Sequence, residues 1–239
     1  MTRSLHGIDL VIFDKDGTLI EFDAMWSGWA MDLAAALRDG TGVPIETSLF
    51  AMLGFDPATG RILPGGGLAA TPMARLRERT YDLLIEEGST ATVADGVLAD
   101  AWHAPDPVEL ARPIADLGAL FGRLRTSGRR IAVATSDDRD PTERTLAALG
   151  VDGWVEATVC ADDGVAVKPA PDMVLHLCAT LGVAPARTAV VGDAPADLTM
   201  GRRAGAGLVI GVLSGVGDAE HLGPAADLVL RSVADLQTD

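Results

Sequence analysis

Lysine is nearly missing from this chain of 239 residues, where only Lys15 and Lys168 occur and arginine carries almost all the other positive charge. Positive charge of either kind is scarce: 19 Lys and Arg face 34 Asp and Glu, for a formal net charge of −15. A surface of that sign repels phosphate backbones and anionic lipid, which speaks against nucleic-acid and membrane partners. A small anionic substrate would have to be drawn in by a local cluster of cations or by a metal. Cysteine is equally sparse, and Cys160 and Cys178 alone fit a cytoplasmic protein with reduced thiols. No basic stretch followed by an apolar core and a cleavage site is found, so no secretory leader is expected. The longest apolar runs, such as Leu208 to Leu213, fall far short of the roughly 20 residues of a membrane helix.

What is present fits a globular chain, with 48% apolar and 22% charged residues. Ile8 to Phe13 is a short branched run that ends in the turn-type sequence DKDGT, and it reads as a buried parallel strand. Arg130 to Thr135, Trp154 to Cys160, Thr188 to Gly192 and Leu208 to Val212 repeat the pattern, separated by helix-like stretches. Asp140-Pro141 opens one such helix and Gly150 closes it, while Pro171 to Leu181 ends at Gly182. Alternation of this kind predicts an α/β fold, a doubly wound Rossmann-like parallel sheet whose site lies beyond the carboxyl ends of the strands. Residues 21–107 break the pattern with longer amphipathic segments: Met25 to Leu37, Pro72 to Glu87 and Ala91 to Trp102, joined by turns such as the one at 63–67. They read as an inserted α-helical cap domain, able to act as a lid, on a core formed by residues 1–20 and 108–239.

Asp14-Lys15-Asp16-Gly17-Thr18 places two carboxylates two residues apart on a strand-end loop. One can attack a phosphoryl group and the other can handle a proton, which splits a hard transfer to water into two easier steps. Two carboxylates facing a phosphate need a divalent cation, and Mg2+ suits an all-oxygen site. Asp193, with Asp197 four residues on, supplies further acid at another strand end. Thr135 and Ser136 offer hydroxyl and backbone donors, and Lys168 a cation, for charge on the phosphoryl oxygens.

These four pieces, in this order, resemble the haloacid dehalogenase superfamily and within it phosphatases similar to phosphoglycolate phosphatase. The resemblance implies that Asp14 is the nucleophile, Asp16 the general acid/base, Thr135 the second-motif hydroxyl and Lys168 the third-motif lysine. It further implies Mg2+ held by a side-chain oxygen of Asp14, the backbone carbonyl of Asp16 and Asp193, with Asp197 orienting that shell. A small phosphorylated metabolite is the implied substrate, for a monomer or a homodimer. Asp16 argues against dehalogenation, and the absence of lysine from residues 21–107 argues against the Schiff-base phosphonatases of this fold. P-type ATPases carry threonine where Asp16 stands and need membrane spans. A sugar phosphomutase similar to β-phosphoglucomutase and a non-catalytic binding module remain as alternatives.

Plainer readings exist for each residue. DKDGT is also a turn that needs positive φ at Gly17. Asp193 and Asp197 also suit a helix N-terminus, Lys168 a solvated turn and Thr135 a strand end. In the insertion, Trp26 and Trp29 with Met25, Leu33 and Leu37 fit core packing. Arg75 and Arg79 fit a solvated stripe, while Arg61 is placed better to reach a substrate.

Overall fold

The computed structural model describes residues 5–63, 66–103 and 106–237. Pro64 and Gly65, part of the glycine-rich joint at 63–67, lie outside the described residues. The chain divides into two compact units, one formed by Met1–Phe22 with Pro107–Asp239 and the other by Asp23–Asp106.

The first unit is built on strands β1 (Leu10–Phe13), β4 (Arg130–Ala134), β5 (Ala157–Val159), β6 (Thr188–Gly192), β7 (Leu208–Val212) and β8 (Leu228–Leu230); β2 (Phe55–Asp56) and β3 (Arg61–Ile62) belong to the second. The six strands form one parallel sheet in the order β5-β4-β1-β6-β7-β8. Every strand but the short outer ones is an apolar run because both faces are covered. Val11 and Phe13 point to one side, where Leu117, Leu120, Phe121 and Leu124 of the helix Leu117–Thr126 join them. Leu10 and Ile12 point to the other, against Met173, Val174 and Leu177 of the helix Asp172–Leu181. This is the doubly wound α/β sheet expected from the sequence. The chain lays β4 and β5 to one side of β1, then returns to lay β6, β7 and β8 on the other. Open α/β sheets gather their ligands at such a reversal, beyond the strands' carboxyl ends.

Details depart from the sequence pattern for local reasons. The run Trp154 to Cys160 is strand only from Ala157 to Val159, because Asp152–Trp154 forms a 3-10 turn closed by Trp154 N–H donating to Val151 O at 3.0 Å. The helix Arg139–Ala148 begins ahead of Asp140-Pro141. Pro141 then sits in the first turn, whose N–H groups have no helical acceptor to lose. The helix Asp172–Leu181 does end on Gly182, at φ 65°. β8 went unread in the sequence: three half-buried residues leave too little pattern.

In the second unit the helices Phe22–Thr41, Glu46–Leu53, Met73–Glu86 and Ala91–Ala101 bury Leu33, Leu37, Leu49, Leu53, Leu76 and Leu84. Trp26 and Trp29 are core residues, packed edge to face at 5.6 Å, and Trp29 meets Trp102 at 5.2 Å in the same way. The unit is not wholly helical, since β2 and β3 pair antiparallel. Among the described residues, no helix is long and apolar enough to cross a membrane.

Candidate active site

β1 ends at Phe13, and the chain turns at once. The Lys15 carbonyl accepts from the N–H groups of Leu19 and Ile20 at 2.8 and 3.1 Å, so the loop curls back on itself. Gly17 adopts φ 83°, the left-handed region that suits glycine. A Cβ there would also lie 2.5 Å from Asp193 Oδ2, so the position needs glycine for space as well as for its turn.

β6, the neighbour of β1, ends in Gly192-Asp193 before the helix Pro195–Ala204. Asp197 in the first turn of that helix accepts from Ala194 N–H at 3.0 Å, half of a capping box. A Cβ on Gly192 would fall 2.3 Å from the Asp197 Cβ, so this glycine makes room for the acid that follows. Asp193 is 1% exposed and is held on both oxygens, by Thr18 Oγ1 at 3.1 Å and by Val216 N–H at 2.8 Å.

Asp14, Asp193 and Asp197 are all buried, and each offers a carboxylate oxygen within 4.8 Å of the others. The Lys168 ammonium, from the segment between β5 and the helix Asp172–Leu181, pairs with Asp14 and reaches Asp197 at 2.6 Å. Lys168 is therefore no solvated turn residue, and Asp197 both caps its helix and meets the lysine. Thr135 and Ser136 follow directly on β4, on the other side of β1. Thr135 is buried, and its hydroxyl accepts from Asp137 N–H at 3.1 Å.

Asp16 takes a different direction. Its Oδ2 lies 2.7 Å from the ammonium of Lys15, whose side chain is 1% exposed and which also reaches Asp137 Oδ2 at 3.0 Å. The Asp16 carboxylate is not one of the three clustered acids. Both lysines of the chain are thus buried here, each clamped between two aspartates. With all groups ionised, five carboxylates outnumber the two ammonium groups by three.

That excess at low dielectric shapes the titrations. Burial pushes Asp14 up to about 7; Lys168 pulls the other way, and Asp197 and Asp16 add to the rise. Burial likewise raises Asp193, helped by Asp14 and Asp197, and raises Asp16 against the pull of Lys15. Burial alone would lower both lysines, but the aspartates around each prevail and raise it. Buried carboxylates held this close, with oxygen donors only, suit a hard divalent cation.

Sequence reasoning passed over Lys15, Asp137 and the Ser214–Gly217 loop after β7. The rarity of lysine was a usable signal for Lys15. The loop's two glycines were another: a Cβ on Gly215 would come within 2.0 Å of Asp193 Oδ2. Of the insertion's arginines, Arg75 pairs with Glu78 at 2.5 Å, Arg61 lies 3.8 Å from Asp23, and Arg79 is exposed.

A family model of haloacid dehalogenase-like hydrolases matches residues 8–205. A phosphoglycolate phosphatase from Caulobacter vibrioides is 30% identical over 252 aligned positions, covering 98% of this chain and 92% of that one. The chain is a haloacid dehalogenase-like hydrolase. The comparisons set it among the phosphatases of that family. Two solved structures share the fold of this hydrolase. One is of a predicted phosphoglycolate phosphatase from Haemophilus somnus, with TM-score 0.68 and 19% identity over 97% of both chains. The other is of a candidate β-phosphoglucomutase from Thermotoga maritima, with TM-score 0.63 and 20% identity over 96% of both.

Proposed function

We propose that the protein hydrolyses a small phosphate monoester in two steps, by way of an aspartyl-phosphate on Asp14, and that it requires Mg2+. The reading is carried by one observation: Asp14, at the end of β1, meets Lys168 and the acids Asp193 and Asp197 from the end of β6 in one buried cluster. Asp14, Asp193 and the backbone carbonyl of Asp16 would hold the ion, and Asp197 would orient that shell. Bound there, the ion offsets the carboxylate charge and that of the incoming phosphate.

In the first step an Asp14 oxygen forms a bond to phosphorus as the bond to the leaving oxygen breaks, and Asp16 gives that oxygen its proton. Lys168 meets negative charge on the transferring group, and Thr135 and Ser136 donate hydrogen bonds to its oxygens. In the second step Asp16 takes a proton from water, the water oxygen bonds to phosphorus, and Asp14 leaves as a free carboxylate. Asp14, raised by burial, must be deprotonated to attack.

Residues 21–107, inserted between β1 and β4, are proposed to read the leaving group, as a cap does. Phosphoglycolate is the first substrate to try, from the name of the Caulobacter relative. The reduced, buried cysteines suit a cytoplasmic enzyme.

A panel of phosphate esters, assayed for free phosphate with and without Mg2+, tests the reading. Release that needs Mg2+ and vanishes in Asp14→Asn supports it. Formation of an isomeric phosphate ester without free phosphate would favour a mutase, and no turnover of any ester a binding module.

A further inference from the structure

Lys15 is buried, its side chain only 1% exposed, in a chain that uses lysine only twice, and the reaction outlined above gives it no part. Burying an ammonium is costly unless it is fully paired. Here it sits between Asp16 Oδ2 at 2.7 Å and Asp137 Oδ2 at 3.0 Å. Asp137 is itself fixed by its backbone: its N–H donates to Thr135 Oγ1 at 3.1 Å, and its carbonyl accepts from Ala161 N–H at 2.9 Å. Those bonds fasten Asp137 beyond the ends of β4 and β5, while Lys15 and Asp16 follow β1. The other oxygen of Asp16, Oδ1, is buried and has no hydrogen-bond partner among the described residues.

A buried carboxylate oxygen without a partner calls for an explanation. A proton-transfer group must hold one oxygen free for the substrate and keep it from swinging away. We propose that Lys15, anchored by Asp137, is a positioning residue: it grips Oδ2 of Asp16 so that Oδ1 stays aimed at the leaving oxygen and later at the attacking water. The inference rests on Asp16 being the acid/base, and it assigns the loop after β4 a second task besides phosphate binding. The plain alternative is that the Lys15–Asp137 pair merely fastens two loops together.

The two are separated by leaving group. An alkyl phosphate needs a proton from Asp16 to depart, whereas p-nitrophenyl phosphate leaves without one. Single-turnover rates of enzyme phosphorylation are to be measured with both esters in Lys15→Met, Asp137→Asn, Asp16→Asn and Lys15→Met/Asp16→Asn. Positioning predicts that Lys15→Met slows the alkyl ester by about 10²-fold or more and the nitrophenyl ester by less than about 10-fold. It also predicts that phosphoenzyme persists longer and that the double variant is no slower than Asp16→Asn alone, as for residues acting as a unit. Asp137→Asn, which leaves Lys15 in place, should show the same selectivity to a smaller degree, and it decides the matter should Lys15→Met fail to fold. Equal losses on both esters, or additive losses in the double variant, would overturn the proposal. If Asp16→Asn itself ignores the leaving group, the acid/base reading is at fault and this inference falls with it.

Discussion

Asp193 is the most tightly surrounded acid of the site. Thr18 and Val216 bind its two oxygens, Gly217 N–H donates to its carbonyl at 3.0 Å, and Gly17 and Gly215 close in on the carboxylate with no room for a methyl group. In the proposed role of Asp193 as a metal ligand these partners orient it, and neighbours of that kind commonly account for about 10–100-fold in affinity. Gly215→Ala is therefore expected to raise the Mg2+ concentration for half-maximal activity by about 10-fold or more. An unchanged Mg2+ titration would show that the glycine does not fix Asp193. Asp14 and Asp193 could be singled out in the sequence because each closes an apolar strand within a spaced set of acids, Asp14 with Asp16 and Asp193 with Asp197. Asp137 could not: it stands in an acidic turn, Asp137-Asp138, and only the fold brings Lys15 beside it.

At the scale of elements, the inner strands were legible, the β5 edge was legible with bounds too wide, and the β8 edge was not. β1 and β7 are buried throughout and written without a polar residue, and β4 and β6 become apolar after Arg130 and Thr188, whereas β8 at the margin is half buried throughout. The small β2–β3 hairpin was hidden for another reason: two-residue strands carry no period to read. The same difference sets energetics. Ile12, in the middle of the sheet and 0% exposed, should cost about 2–5 kcal/mol when cut to alanine. Leu230→Ala, at the half-buried margin, should cost less than half as much as Ile12→Ala. Urea unfolding of the two variants checks the ranking, and equal losses would contradict it.

For the whole molecule, charge is the governing quantity. A protein of net charge −15 that buries a knot of carboxylates gives up stability to do so, and a bound cation returns it by mass action. Because Asp14 is raised to about 7 from 3.8 and Asp193 is raised too, the folded state binds more protons than the unfolded one across that interval. Stability from these groups is thus present at acid pH and is lost as pH rises through about 7 in the metal-free protein. Mg2+ should accordingly raise Tm more at pH 8 than at pH 5.5, where protons compete for the same oxygens. Thermal scans at both pH values check this, and Asp193→Asn should lose most of the Mg2+ effect. Covalent transfer to one carboxylate is the central step of the proposed reaction. Rapid acid quench during turnover of the enzyme and of Asp16→Asn, in which breakdown is slowed, followed by peptide mass spectrometry, tests that directly: the phosphoryl group should be found on Asp14, and turnover by Asp16→Asn with no protein-bound phosphoryl, or one carried elsewhere, would contradict it.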